Sequence, residues 1–394
     1  MLTLPLVSLL ALSRFARGDD GDNSGDDASA TPDLKQNSAN CSCYAIGSGS
    51  HNSSEYFSYH RFYDFRSLAT SANQYTVPDV VSNDEDQGTE PIAADDAGYF
   101  NGTQFMNDWD IQSWTSNATA DFPVRMVNTA QNVYISIDSE YPTYLTMRVA
   151  RLADFSSASE LANNQANMLH ASVRMWARVV GAPGACAGFF TYYDDDNESD
   201  IEILTQYGPN EYQYTNQPSV DKGGDEIEAA SINVTMPASD GTGEDWTQWH
   251  EHRIDWLPHR VNWYLDGKMV ATNTYSVPRK PSALYLNMWS NGGSWSGNMT
   301  EGDAAEFHVQ WVQMVFNTSG PRAGPDADSK RKRRGRKKHK AAQGCSTVCR
   351  VDGVEAVGYP EVAYVSTGGA ASVVCRQGAV WLVVAAVGAL LAWA

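Results

Sequence analysis

Basic residues are scarce in this sequence outside one short run. The 394 residues include 28 Lys and Arg against 47 Asp and Glu, and nine of the basic residues fall within residues 330–340. The rest of the chain therefore has 19 basic against 47 acidic residues, a net charge of −28. This balance argues against nucleic acid as a partner and favours a neutral polymer that is bound by stacking and hydrogen bonds.

Cysteine is also rare in this chain. The six cysteines are Cys41, Cys43, Cys186, Cys345, Cys349 and Cys375. The two close pairs lack His or Cys partners at a spacing typical of zinc sites. The sequence implies no cofactor and no metal at a catalytic site; a structural calcium elsewhere is the alternative, although no set of ligands stands out for it. The pairs Cys41/Cys43 and Cys345/Cys349 could bridge the two ends of the central region, or each pair could close locally. Cys186 lies among Gly and Ala residues and is predicted to be a buried small residue rather than a reactive thiol.

Helical periodicity is weak almost throughout the chain, with a trace near residues 158–167. Short runs of β-formers recur instead, for example at residues 133–137 and 145–149, and turn-prone Gly, Asn, Asp and Pro residues separate them. This pattern is typical of an all-β sandwich.

Long hydrophobic runs are missing except at the two ends. Residues 2–12 are apolar but too short to span a bilayer, and they indicate a secretory signal over residues 1–18 despite the missing basic start. Residues 379–394 are apolar throughout and follow small residues and a short spacer, which is the pattern of a GPI anchor signal. An ordinary membrane helix is the alternative, but the run is marginal for spanning. Removal of the anchor signal would also remove Cys375 and leave five cysteines, an odd number.

The remaining segments complete the expected organisation of the chain. Residues 19–39 are acidic, rich in Gly, Ser and Asn, and predicted to be disordered. A globular domain over 40–318 is followed by a basic linker over 319–344, a cysteine-containing segment with the anchor attachment region over 345–377, and a hydrophobic tail over 378–394. We interpret the basic run as a solvated stalk; contact with anionic wall polymers or lipid headgroups, or proteolytic cleavage, are the alternatives.

Residues 198–202 read Glu-Ser-Asp-Ile-Glu and are the most informative stretch of the chain. In a β-strand, the period of two places Glu198, Asp200 and Glu202 on one face and the neighbouring isoleucines on the other. Three carboxylates on one face repel each other, and a fold tolerates this most readily where the charges do chemistry. The alternative is a solvated acidic edge, because residues 194–196 are also acidic.

Two carboxyl groups that flank a glycosidic bond are the basic equipment of a glycosidase. In a retaining enzyme they stand roughly 5–5.5 Å apart, whereas Glu198 and Glu202 on a flat strand would have Cα atoms about 13 Å apart. The two side chains would therefore have to lean toward each other. Asp200 between them can hydrogen-bond a neighbour and separate the two pKa values, so that one Glu is ionised while the other keeps its proton.

Four blocks of sequence, in the same order, resemble glycoside hydrolase family 16. They are residues 189–204 with the acidic strand, residues 250–256 followed by the Trp-Tyr-x-Asp-Gly hairpin in 261–267, residues 286–297, and residues 309–312. The resemblance covers roughly residues 56–317. It implies a concanavalin-like β-sandwich, or jelly roll, of two antiparallel sheets with a concave substrate cleft.

The resemblance also implies roles for individual residues. Glu198 would be the nucleophile, Asp200 its helper and Glu202 the acid/base. Some family members have one extra residue before the second Glu; this chain lacks it, which predicts a regular strand without a bulge. We expect substrate contacts from five further residues, of which the two tryptophans would stack on sugar rings: Trp289, Trp295, Tyr207, Gln206 and Asn287.

The function implied is that of a retaining endo-β-glycosidase acting on cell-wall β-glucan, either β-1,3 or mixed-linkage, through a covalent glycosyl-enzyme. The protein would be a secreted monomer held at a fungal cell surface by a GPI anchor. A glucan or chitin transglycosylase of the same family and a non-catalytic, lectin-like glycan-binding protein are the alternatives. The intact pair of glutamates argues against the lectin, because a binding module does not need both.

Eight Asn-x-Ser/Thr sequons support secretion. They begin at Asn40, Asn52, Asn101, Asn117, Asn197, Asn233, Asn298 and Asn317. Asn197 directly precedes the expected nucleophile, and a glycan there would obstruct the cleft. We therefore predict that Asn197 is unmodified.

Overall fold

A computed structural model describes a large part of the chain. The described residues are 41–66, 68, 77–81, 104–137, 143–236, 245–319 and 345–365. The expected signal peptide, the disordered segment, the basic run with almost all of its linker, and the hydrophobic tail lie outside the described residues.

Regular structure in the described residues is almost entirely β. The strands in the first half are β1 (Cys43–Ser48), β2 (Ser53–Phe57), β3 (Tyr59–Asp64), β4 (Trp109–Ile111), β5 (Thr115–Ser116), β6 (Arg125–Asn128), β7 (Val133–Ser136), β8 (Tyr144–Arg151), β9 (Phe155–Asn163), β10 (Met168–Gly181) and β11 (Cys186–Asp194). Those in the second half are β12 (Asn197–Leu204), β13 (Glu211–Asn216), β14 (Ser231–Thr235), β15 (His250–Leu257), β16 (Arg260–Leu265), β17 (Lys268–Asn273), β18 (Ala283–Trp289), β19 (Ala304–Thr318), β20 (Thr347–Arg350) and β21 (Glu361–Val365).

Helical structure is confined to α1 (Gln104–Asp108) and a 3₁₀ turn (Ala130–Asn132) in this part of the chain. No helix among the described residues combines the length and the apolar character that crossing a bilayer would require.

Two large sheets pack face to face. The front sheet has the strand order β14–β13–β12–β11–β18–β9–β4, and all of its pairings are antiparallel. The back sheet has the order β17–β16–β15–β10–β19, with β3 and β8 pairing to successive parts of β19. Strand β9 also pairs with β8 and β6, so it joins the two sheets along one side. The predicted all-β sandwich of two antiparallel sheets is confirmed.

The core lies between the two sheets because apolar side chains alternate along the strands. Phe189, Ile201 and Leu286 point inward from the front sheet, and Met175 and Ile254 point inward from the back sheet. Burial of each such side chain contributes roughly 1.5–3 kcal/mol. The side chains that alternate with these apolar residues point to the opposite face of each sheet. On β12 they are the three acidic side chains.

One weak helical signal in the sequence falls on a strand. The trace of helical periodicity near residues 158–167 is misleading, because residues 155–163 form β9. This strand is paired on both sides and buried along nearly its whole length, so it shows no polar alternation.

The tryptophans of the back sheet lie on both of its faces. Trp256 and Trp263 lie in the core, whereas Trp311 points away from it and stacks on Trp176 with ring centroids 6.5 Å apart.

A third, smaller sheet covers the outer face of the back sheet. This terminal sheet has the order β2–β1–β20–β21 and combines both ends of the described chain. Disulfides Cys41–Cys349 and Cys43–Cys345 join the ends, which settles the choice between bridging and local closure. The sequence did not predict this layer.

Charged contacts hold the terminal sheet against the back sheet. Asp352 accepts a hydrogen bond from Arg174 at 2.8 Å and another from the backbone N–H of Gly47 at 2.7 Å. The guanidinium of Arg253 donates to the carbonyl of Gly47 at 2.6 Å and to Asp255. These groups lie on the side of the back sheet that faces away from the front sheet.

Candidate active site

Strand β12 places its three acidic side chains on one face. Ile201 and Ile203 point into the core, and Glu198, Asp200 and Glu202 alternate with them on the opposite face. These three residues are only 2%, 2% and 3% exposed, and β12 lies between β11 and β13. A solvated acidic edge is therefore excluded.

The strand is regular between the two glutamates. Residues from Glu198 to Leu204 pair with β11 in an unbroken register, as expected from the absence of an extra residue. The distance of about 13 Å between the Cα atoms of residues four apart on a strand then has to be closed by the side chains. Asp200 lies in the middle, where it hydrogen-bonds Glu198 and interacts electrostatically with Glu202.

Burial raises the pKa of all three acids. For Glu198 the charge of Asp200 adds to the effect of burial, and for Asp200 the charge of Glu202 does so, which holds both pKa values well above their ordinary range. The pKa of Glu202 rises only to about 7, because hydrogen bonds from Trp295 and Cys186 offset part of the cost of burial. Three buried carboxyl groups this close cannot all be ionised, so the group retains protons near neutral pH.

The predicted stacking residues Trp289 and Trp295 are buried, at 4% and 5% exposed. The indole Nε1 of Trp295 donates to Oε1 of Glu202 at 3.1 Å, and the thiol of Cys186 donates to the same oxygen at 3.4 Å. Trp289 ends β18 opposite Cys186 on β11. The structure thus brings Trp295 to the acids as a hydrogen-bond donor, and it makes Cys186 part of the site.

Gln206 and Tyr207 are not in contact with the acids. The amide of Gln206 donates to the carbonyl oxygen of Ser294 at 3.0 Å and also to that of Trp295, so its N–H groups are used within the protein. Tyr207 lies in the turn after β12 and is 39% exposed; burial and the charge of Glu211 raise its pKa.

A row of polar residues crosses the front sheet at the level of Glu202. The cross-strand partners, from β9 through β18, β11 and β12 to β13, are Glu160, Asn287, Gly188, Glu202 and Gln213. Asn287 was expected at the site from the sequence; Glu160, Gly188 and Gln213 were not. Their place in this row depends on strand register, for which the sequence around them carries no signal.

Glu160 is a fourth buried acid on this face. Its carboxylate accepts hydrogen bonds from Nε1 of Trp114 at 3.2 Å and from the amide of Asn287. Burial nevertheless raises its pKa to about 7. Glu160 therefore keeps a proton over part of the neutral range and can act there as donor or acceptor.

Gly188 makes room in the middle of the row. A Cβ atom at this position would lie 2.4 Å from Oδ1 of Asn287, closer than real Cβ contacts allow. The amide oxygen of Asn287 consequently lies against Gly188, the residue of β11 that pairs with Glu202. Only glycine permits this arrangement without moving Asn287.

Three oxygens of this row lack a hydrogen-bond donor within the described residues. They are Oε2 of Glu202, Oε1 of Gln213 and Oδ1 of Asn287, and all three are buried. Buried acceptors are usually paired, so a ligand that brings several hydroxyl donors would satisfy them. No group of three or more His, Cys, Asp or Glu in the described part of the chain is arranged to hold a metal ion.

The comparison with known proteins agrees with this geometry. The family model of the glycosyl hydrolases family 16 matches residues 116–313, half of the chain, and this range includes every residue of the row. A β-glucanase of Paenibacillus polymyxa is 28% identical over 141 residues, which cover 34% of this chain and 54% of that protein. The Crh-like protein CRH11 of Candida albicans is 27% identical over 143 residues, which cover 32% of this chain and 28% of that protein.

Among solved structures, a β-glucanase of Bacillus licheniformis matches with 21% identity and a TM-score of 0.43, covering 53% of this chain and 92% of that one. The chain spans about half the length, or less, of these two curated relatives.

Proposed function

The chain belongs to glycosyl hydrolase family 16, and from this premise we propose that it is a retaining endo-β-glycosidase acting on cell-wall β-glucan. The observation that carries the proposal is the front-sheet face of β12, where three buried acids lie beside a row of buried oxygens that find no hydrogen-bond donor in the described part of the chain. The hydroxyl groups of a polysaccharide chain can donate hydrogen bonds to several such oxygens at once.

The chemistry proceeds in two steps on this face. In the first, the carboxylate of Glu198 attacks the anomeric carbon while Glu202 gives its proton to the departing glycosidic oxygen, so one C–O bond forms as the other breaks. In the second, Glu202 takes a proton from water, which attacks the same carbon and releases Glu198. The pKa of Glu202 near 7 suits a group that must both give and accept a proton.

Asp200 would assist by sharing a proton with Glu198. The two carboxyl groups hydrogen-bond each other and cannot both be charged in a buried site. In the free protein the hydrogen bond between them raises the pKa of Glu198 and lowers that of Asp200, so the shared proton favours Glu198. We propose that this proton moves to Asp200 when substrate binds, which leaves Glu198 as the anion that attacks.

A β-glucan is the preferred substrate because curated relatives from several bacteria are named β-glucanases. The linkage would be β-1,3 or mixed. The protein would work outside the cell, at a fungal surface and on a lipid anchor. Two disulfides support an oxidising compartment, and two relatives from Candida albicans support a fungal setting.

Transglycosylation is the second candidate, and the two Crh-like relatives from Candida albicans support it. In that reaction the hydroxyl of a second sugar, rather than water, attacks the covalent intermediate. The same residues would serve, with Glu202 taking the proton from the acceptor sugar. A lectin-like role requires binding without turnover.

The test is to incubate the secreted protein with a panel of β-glucans beside Glu198→Gln and Glu202→Gln. We expect new reducing ends from one or more glucans and loss of activity by at least about 10²-fold in both variants. Longer oligosaccharides without new reducing ends would establish the transglycosylase. Binding without turnover, unchanged in both variants, would refute both enzymatic proposals.

A further inference from the structure

One oxygen of Glu202 is held by two donors and the other by none. Trp295 and Cys186 both donate to Oε1, at 3.1 Å and 3.4 Å; Trp295 lies in the loop after β18, and Cys186 begins β11. Oε2 is buried and lacks a partner within the described residues. We propose that Trp295 and Cys186 are positioning residues that fix the acid proton of Glu202 on Oε2, which deepens the proposed function and rests on it.

The hydrogen-bonding capacity of a carboxyl group decides which oxygen carries the proton. A protonated carboxyl has one O–H donor, and its second oxygen remains an acceptor. Oε1 already accepts hydrogen bonds from an indole N–H and a thiol. A proton on Oε1 would lie close to the hydrogens of these two donors and weaken both hydrogen bonds, so Oε1 is the less favourable oxygen for the proton. The proton therefore resides on Oε2.

The neighbours of Glu202 in its row make Oε2 the useful oxygen. Asn287 and Gln213, to either side along the row, present oxygens that no donor among the described residues reaches. A sugar that satisfies these acceptors lies on the face of Glu202, with its glycosidic oxygen within reach of that proton. A proton on Oε1 would point into the protein.

The loop that carries Trp295 is itself fixed. Gln206, which follows β12, donates to the carbonyl oxygens of Ser294 and Trp295. Gly297 adopts a φ of +83°, and a Cβ there would lie 3.0 Å from the amide oxygen of Gln206. Gln206 therefore holds the backbone that carries the indole of Trp295, while the expected contact of Gln206 with sugar hydroxyls stays a prediction. The indole N–H is thus held in place before substrate arrives.

The two donors also stabilise the ionised form of Glu202. Removal of a donor should raise the pKa of Glu202, because the carboxylate loses a hydrogen bond that the neutral acid uses less well. The high-pH limb of kcat/KM, where the acid loses its proton, should then move to higher pH. A residue that merely packs would lower activity without moving this limb.

The experiment compares Trp295→Phe, Cys186→Ala and Cys186→Ser in the full chain. A hydrogen bond to a charged group corresponds to about one pH unit or more, so we expect Trp295→Phe to shift the limb up by about that amount. Cys186→Ala should shift it by roughly half as much, because a thiol is a weak donor. Cys186→Ser, whose hydroxyl can donate, should restore the wild-type position.

Trp246→Phe is the matched control. The indole of Trp246 is also buried and donates to a backbone carbonyl, that of Gly208, but it does not contact Glu202. This variant should keep the wild-type pH profile even where its stability falls. Profiles of Trp295→Phe and Cys186→Ala that coincide with the control would overturn the positioning role.

A second readout separates this inference from the proposed function. The carboxyl pKa of Glu202, followed by carbon-13 NMR and assigned with Glu202→Gln, needs no substrate. Absence of turnover on every glucan would refute the proposed function, yet the titration would still test the two donors. An unchanged pKa in both donor variants would refute the inference even in an active enzyme.

Discussion

The two disulfides of the terminal sheet close almost the same loop, and this predicts a strongly non-additive effect on stability. Cys41–Cys349 joins residues 308 positions apart and Cys43–Cys345 joins residues 302 apart. In the chain-entropy treatment, a single bridge over a loop of this length stabilises the fold by roughly 5–6 kcal/mol. Once it exists, the second bridge closes only a ring of about eight residues, which is worth roughly 2.5 kcal/mol.

Removal of either bridge should therefore cost roughly 2.5 kcal/mol, and removal of both should cost roughly 8 kcal/mol. The sum of the two single effects is only about 5 kcal/mol, so the double removal exceeds it by about 3 kcal/mol. The physical reason is that either bridge alone retains the large loop. The loop opens only when both are lost.

The assay is urea unfolding of the Cys41→Ala/Cys349→Ala pair, the Cys43→Ala/Cys345→Ala pair and the fourfold variant, all at one pH and temperature. Peptide mapping would verify the remaining bridge. Activity below the unfolding transition serves as the control, because the terminal sheet lies on the far side of the back sheet from β12. A single removal that costs 5 kcal/mol or more, or a fourfold effect equal to the sum, would refute the reasoning.

Three further predictions concern the front sheet. The pKa of Glu160 is about 7 in the folded protein, against an ordinary 4.5. The contribution of Glu160 to stability is therefore complete below pH 4.5 and is lost as the pH rises through 7. In urea unfolding, the free energy of unfolding of Glu160→Gln should exceed that of wild type by about 3 kcal/mol at pH 8 and equal it at pH 4.5. Gly188→Ala should lower kcat/KM about 10²-fold by displacing Asn287. In a protein that already carries Asn287→Ala, the same substitution should lower kcat/KM little further. An equal loss of kcat/KM in wild type and in Asn287→Ala would contradict this. Glycopeptide mass spectrometry should find Asn197 unoccupied, because its amide is held between a neighbouring carboxylate and a backbone N–H; full occupancy in active protein would refute this.

Part of this site follows from the sequence because it depends on a local property. The period of two along β12 puts Glu198, Asp200 and Glu202 on one face whatever the strand pairs with. The short β-rich runs between turn residues likewise predict the sandwich. These features need no knowledge of distant parts of the chain.

The rest depends on pairings between distant segments. Glu160 reaches the site only because β9 pairs with β18, and Cys186 only because β11 lies between β18 and β12. The expected stacking of Trp295 on sugar stays a prediction, but the burial of its ring and the hydrogen bond from its N–H to Glu202 follow from packing between distant segments. The terminal sheet is hidden for the same reason, since its strands come from opposite ends of the described chain.

The measurement that tests the central claim most directly is identification of the covalent intermediate. A β-glucan oligosaccharide with fluorine at C2 of the reacting sugar and a good leaving group slows the second step and traps the glycosyl-enzyme. Mass spectrometry of the digested protein should then find the sugar esterified to Glu198, with Asp200→Asn and Glu202→Gln run in parallel. Attachment to any other residue, or turnover of natural glucan with inversion of the anomeric centre, would contradict the account.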